Sequence, residues 1–316
     1  MEPGGAGLML LLVLLELAAH IASPTVCGGI ASSAAAGSAS AETMPVELVE
    51  HAGGTLFSFG TPQFSLTFDA TTLALRNLTA CDVGREQGLL WPAGAADAAN
   101  GFSLWQLNVS DCHEAIPYGV RLDALGSPTH TRRYDVTPLS AGASQLTLHW
   151  DGMSLSGSRQ LVLDVAITIT MQPASSQASL GATVSRHRPG ICIQALTLPN
   201  LRVVSRTDAI DTLFVPWMFG QAGEAASNLP GWSGLELWRH PTFAVNGQLP
   251  LMPSAGGDSA SMQWMAVYSN ATGGDEPLGL YVGAHSPDSR LMMMLMESGA
   301  SSTAVQFVHL PDDLSD

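Results

Sequence analysis

From Met44 onward the apolar positions recur every second residue or in short unbroken runs, and no stretch has the spacing of an amphipathic helix. That is the pattern of β-strands. Phe64, Leu66 and Phe68 alternate, Asp69-Ala70-Thr71 carries turn residues, and Leu73 and Leu75 alternate back, which predicts a hairpin with Asp69 bonding backbone across the turn. Further strands are predicted at Thr55 to Phe59, Phe102 to Val109, Gln145 to Trp150, Leu161 to Met171, Ile191 to Leu198, Met262 to Tyr268, Leu278 to His285, Arg290 to Met296 and Thr303 to Val308. Asp151-Gly152, Pro199-Asn200, Gly256-Gly257 and Gly273-Gly274 punctuate them. In LVLDVAITITM, Val162, Val165 and Ile167 or Ile169 stand against Asp164 and the threonines. In LMMMLM the apolar run reads as a strand buried on both faces, with Met as filler rather than metal ligand. Many short strands without helices or a fixed repeat predict an all-β fold, a large two-sheet antiparallel sandwich, and argue against a parallel α/β sheet or a propeller.

The first residues break this pattern. Leu8 to Ala19 is an apolar block of signal-peptide length, shorter than the roughly 20 residues of a membrane span. It has no basic residue before it and Glu16 within it, so an uncleaved anchor is the competing reading. The organisation expected is a leader over 1–22, a flexible Ala/Ser/Gly spacer over 23–43 and one sandwich domain over 44–316, in a secreted or extracellular protein. Composition agrees. Of the 316 residues only 12% are charged, against 46% hydrophobic, and all 12 bases are arginine against 27 acids. A net charge of −15 without a basic cluster cannot neutralise phosphates, which excludes nucleic acid as a partner.

Four of the seven tryptophans fall between Leu213 and Asp288. Trp232, Glu236, Trp238, Arg239 and His240 crowd between Pro230 and Pro241, and flat rings beside charged hydrogen-bonding groups suit a saccharide, whose C–H face stacks while its hydroxyls need polar partners. Core packing is the competing reading for each ring, and Trp264, in the apolar run Met262 to Tyr268, is expected in the core. The carboxylates include Glu236 and Asp288, and His285 with Asp288 after a strand is the best polar cluster, though a strand-end turn in which Asp288 or Ser286 bonds backbone is the favoured reading of it. These three are the candidate catalytic residues. No phosphate loop, dinucleotide fingerprint, serine elbow or zinc spacing occurs, so no cofactor and no metal are expected.

The cysteines are Cys27, Cys81, Cys112 and Cys192. Cys81 and Cys112 flank one segment and form the preferred pair, closing a loop of about 30 residues worth roughly 3 kcal/mol in the chain-entropy account. Cys192, in an apolar strand, reads as a buried thiol. Asn77-Leu78-Thr79, Asn108-Val109-Ser110 and Asn270-Ala271-Thr272 are N-glycosylation sequons.

The ordered segments FSLTFDATTLALRNL, LWQLNV, LFVPWMFGQ, MQWMAVYS and GLYVGAHSPDS resemble the N-terminal β-sandwich of glycoside-hydrolase-like proteins, a galactose-mutarotase-like supersandwich. The likeness runs over roughly residues 50 to 310. It implies a sandwich that precedes a (β/α) barrel bearing the catalytic acids. This chain reaches Asp316 without barrel-like sequence, and Ser286 stands where the family turn has an acid. The expectation is a secreted, carbohydrate-associated, non-catalytic sandwich. Its rivals are a self-sufficient aldose-epimerase-like or lyase-like sugar enzyme, using His285 or His240 with Glu236 or Asp288 as acid and base, and a structural cell-surface domain.

Overall fold

The computed structural model describes residues 11–16, 46–51, 53–61, 64–82, 85–88, 103–111, 120–127, 129, 131–154, 162–173, 177–186, 191–204, 210–215, 221–224, 264–270, 278–284, 292–298 and 302–309. The strands are β1 (Leu11–Glu16), β2 (Glu47–Glu50), β3 (Leu56–Thr61), β4 (Phe64–Asp69), β5 (Leu75–Asp82), β6 (Arg85–Gly88), β7 (Gln106–Asp111), β8 (Val120–Asp123), β9 (Thr131–Pro138) and β10 (Ser144–Ser154). They continue with β11 (Val162–Met171), β12 (Gln177–Arg186), β13 (Ile191–Val204), β14 (Ile210–Val215), β15 (Gln221–Glu224), β16 (Trp264–Asn270), β17 (Leu278–Ala284), β18 (Met292–Ser298) and β19 (Ser302–His309). The fold is all-β.

Among the described residues the ladders are antiparallel and form three sheets. The first has nine strands in the order β15-β14-β16-β17-β1-β12-β11-β10-β9, the second five as β18-β19-β13-β7-β8, and the third five as β2-β3-β4-β5-β6. β11 shows why the segments fold this way. Its burial alternates without a break, with Leu163, Val165, Ile167, Ile169 and Met171 in the core and Val162, Asp164, Ala166, Thr168 and Thr170 half-buried opposite. β-Branched side chains suit such a pleated surface, and each fully buried aliphatic side chain contributes roughly 1.5–3 kcal/mol. Val162 therefore lies on the face away from Val165, because odd and even positions of a strand cannot share a face.

The hydrophobic cluster is continuous across all three sheets. Trp105, just before β7, meets Trp150 of β10 edge to face at 5.2 Å, both wholly buried, which joins the second sheet to the first. Phe57 of β3 stacks on Tyr134 of β9 at 4.1 Å and joins the third. The Tyr134 hydroxyl donates to Glu50 Oε1 at 3.1 Å, and burial together with that carboxylate pushes the phenol above its ordinary value of 10.0.

The β4–β5 turn keeps the Asp69 anchor that the sequence implies but runs on to Ala74, so Leu73 belongs to the turn and the returning strand begins at Leu75. Asp69 Oδ1 accepts from the backbone N–H groups of Thr71 (2.9 Å) and Thr72 (2.8 Å), and Leu73 adopts a left-handed φ of 57° with its side chain fully buried. Two of the punctuators do not end strands. β10 runs through Asp151-Gly152 by a bulge at Gly152, whose φ is +67° and whose N–H donates to Asp164 Oδ1 at 2.7 Å. β13 runs through Pro199-Asn200, its register shifting between Thr197 and Asn200, where Asn200 bonds the backbone of Ser103 and Leu104. A shifted ladder frees a position without a paired N–H, which is where proline is tolerated in a sheet. The LMMMLM run becomes β18, an edge strand of the second sheet.

Leu11–Glu16, inside the expected leader, forms β1 between β12 and β17. Since β1 is antiparallel to both, those two strands run parallel to each other. Cleavage near residue 22 would take β1 away and leave two parallel strands facing one another.

Candidate functional site

Trp232, Glu236, Trp238, Arg239 and His240, expected from the sequence to hold a saccharide, lie outside the described residues, as do His285 and Asp288. Their attachment points are described. The segment 225–263 leaves β15 and returns at Trp264, the first residue of β16. Trp264 stands opposite Gly283 of β17, one residue before the end of that strand, so the chain enters β16 and departs from β17 toward His285 at the same end of the nine-stranded sheet. β14 finishes and β15 starts at that end too, with Val215 paired to Gln221 and Phe214 to Ala266.

At this end an aromatic pair is set into the sheet. Trp264 stacks on Tyr281 with ring centroids 5.5 Å apart and planes inclined by 27°. Strand alternation explains the placement. Leu280 and Val282 point into the core, which turns Tyr281 to the opposite face, and the register carries Trp264 and Ala266 onto that same face. Gly279 and Gly283, two residues to either side of Tyr281, add no side chain beside its ring. Trp264 is thus half-buried and stacked, not a core residue as its apolar surroundings suggest. The sequence carries no signal for this, since large apolar side chains occupy both parities of the strand. Alternation places Trp264 opposite in face to Met265 and Val267, but which of the two faces is the inner one is set by the pairing with β17.

The described sequons sit on strands. Asn77 of β5 and Asn108 of β7 are half-buried, and Asn77 Nδ2 donates to Thr79 Oγ1 at 3.0 Å. Asn270 is the last residue of β16, opposite Ile210. Cys192, on β13, is disulfide-bonded, so it is not the buried thiol expected. Cys81 falls in β5, and Cys112 lies outside the described residues. On the outer side of the third sheet His51 Nε2 is 2.6 Å from Ser58 Oγ, which is 2.8 Å from Thr67 Oγ1, a polar relay across three neighbouring chain segments that sequence reading did not anticipate. Among the described residues no group of three or more metal-ligating side chains converges, and no helix is long and apolar enough to cross a membrane.

No protein-family model matches the chain, and a search of curated proteins finds no match to it.

Proposed function

We propose that this chain is a secreted, carbohydrate-associated β-sandwich, the non-catalytic N-terminal part of a glycoside-hydrolase-like protein of galactose-mutarotase-like type, which holds a glycan by stacking. The observation that carries this reading is the Trp264–Tyr281 pair at the strand end to which the segment with Trp232, Glu236, Trp238, Arg239 and His240 returns. Aromatic rings supply affinity to a sugar's C–H face, and the charged groups of that segment would orient its hydroxyls. The Cys192 disulfide supports an oxidising compartment, and the sequons at Asn77, Asn108 and Asn270 fit passage through the secretory route. The resemblance assigns the catalytic acids to a barrel, so saccharide binding without cleavage is the activity expected of these residues.

Each stacked ring contributes only on the order of 1 kcal/mol, so a monosaccharide should bind with a dissociation constant nearer millimolar than micromolar. NMR or calorimetric titration against an oligosaccharide panel tests this. Trp232→Ala, Trp238→Ala and Tyr281→Leu should each weaken binding several-fold, and binding untouched by all three, or absent from the panel, overturns the reading. Turnover of aryl glycosides that is lost on replacing Glu236 or Asp288 would establish the enzyme reading instead.

A further inference from the structure

β9 ends the nine-stranded sheet. It pairs with β10 over its full length, from Thr131 opposite Asp151 to Pro138 opposite Ser144, without a bulge. Among the described residues no strand pairs with its other side. Four of the other five sheet ends, β2, β6, β8 and β15, are four-residue strands, too short to template much pairing, whereas β9 offers eight residues in one register. Thr131, Arg133, Asp135, Val136, Thr137 and Pro138 are exposed, and so is Leu139 beyond them. A long, regular, exposed edge presents a row of unpaired backbone groups, and proteins either blunt such edges or use them.

The charges on this edge are ordered. Arg133 Nη1 lies 2.5 Å from Asp135 Oδ2 and Arg133 Nε 3.2 Å from Asp151 Oδ2, while His149 Nε2 is 3.2 Å from Asp135 Oδ2. Arg133 and Asp135 are both about half exposed, at 49% and 56%. They share the outer face of the sheet, with one residue between them.

We infer that β9 pairs antiparallel with β9 of a second copy of this chain, about a two-fold axis through Tyr134. The register follows from two constraints. Outward-pointing backbone groups alternate along a strand, so when a strand pairs with itself the residues facing each other share parity and the axis must pass through a residue. An axis through Arg132, Arg133 or Asp135 puts like charges face to face, which is destabilising. With the axis through Tyr134, Arg133 faces the second copy's Asp135 and Asp135 its Arg133, Thr131 faces Thr137, and Arg132 faces Val136. Four charges then alternate in sign across the seam, and seven residues of each strand are used. The same arrangement disfavours an arbitrary extended peptide, which would leave Arg133 and Asp135 without complementary neighbours. A single-strand seam is a small interface, so the dimer should form in the micromolar range rather than as an obligate pair.

Sedimentation equilibrium of the full chain over a wide concentration range tests the pairing. A monomer–dimer equilibrium is expected. Arg133→Asp and Asp135→Arg should each weaken it by at least about tenfold, because each creates two like-charged contacts, and the double exchange Arg133→Asp with Asp135→Arg should restore it to within a few-fold. In the unaltered chain, hydrogen exchange should show alternate amides of β9 gaining protection as concentration rises, a readout that does not depend on any variant folding. A chain that stays monomeric, a dimer unmoved by the single exchanges, singles that the double exchange fails to rescue, or β9 amides protected only by a heterologous peptide would each overturn the inference.

Discussion

Asp69 shows how much one side chain can hold at a turn. Its carboxylate takes two backbone N–H groups and Arg76 Nη2 at 2.6 Å, with both side chains largely shielded at 20% and 14% exposure. Burial alone would raise its pKa, but the hydrogen bonds from Arg76, Thr72 and Thr71 outweigh burial and hold the carboxyl below its ordinary 3.8. A carboxyl whose folded pKa is depressed stabilises the fold at every pH above its unfolded value and loses that contribution as pH falls through the folded value. Asp69→Asn keeps an acceptor for the turn and removes the charge, so it should cost about 1 kcal/mol at neutral pH. Urea titrations should show the gap between Asp69→Asn and the parent chain narrowing as pH falls below 3.8 through the lowered folded pKa, and a gap that does not change with pH across the acid range would mean the turn depends on shape rather than charge.

Among the elements, the tight β3–β4 hairpin depends on a glycine whose role is steric. A Cβ on Gly60 would overlap the carbonyl oxygen of Phe64 and sit 2.6 Å from the Cα of Ser65, both backbone atoms that cannot swing aside. Gly54 differs, since it needs a positive φ of 66° but has nothing within 4 Å of a Cβ. Gly60→Ala should therefore cost about 3 kcal/mol through backbone displacement, and Gly54→Ala about 1 kcal/mol through the left-handed conformation alone. Denaturant midpoints give the ranking, and the reverse order would place the constraint in the backbone torsion. β13 carries a comparable lesson. Pro199 in sequence marks a stop, yet the strand continues because Asn200 is held by Ser103 and Leu104 from a distant part of the chain.

At the scale of the molecule, covalent and strand connectivity constrain each other. Four cysteines allow three pairings, and with Cys192 bonded the Cys81–Cys112 pairing stands only if Cys192 takes Cys27. The register of β13 on β7 sets Cys192 opposite Ser110, two positions along the chain from Cys112. Non-reducing peptide mapping decides among the three pairings: Cys81–Cys112 with Cys27–Cys192 is the outcome that keeps the pairing expected from the sequence, and a peptide joining Cys192 to Cys81 or to Cys112 would overturn it. The nine-stranded sheet poses a similar question. With β1 in place the antiparallel order is unbroken from β15 to β9, and without it β12 and β17 face each other in parallel.

The all-β class, the β4–β5 hairpin with its Asp69 turn and the period of β11 were determined by the sequence alone, because side-chain alternation and turn chemistry act over a few residues and need no partner. Strands such as β8, β9 and β12 escaped notice. Their apolar contrast is weak: β9 is mostly exposed, and β12 carries small residues such as Ala178, Gly181 and Ala182 that fill space only once β11 lies against them. The partition into three sheets, the passage of β10 and β13 through turn-like dipeptides and the disulfide at Cys192 were decided by tertiary contacts between residues far apart in the chain. The same holds for Trp264. Which face of a strand meets the core is fixed by its neighbours, so only the ladder with β17 could turn that ring away from the interior and onto Tyr281.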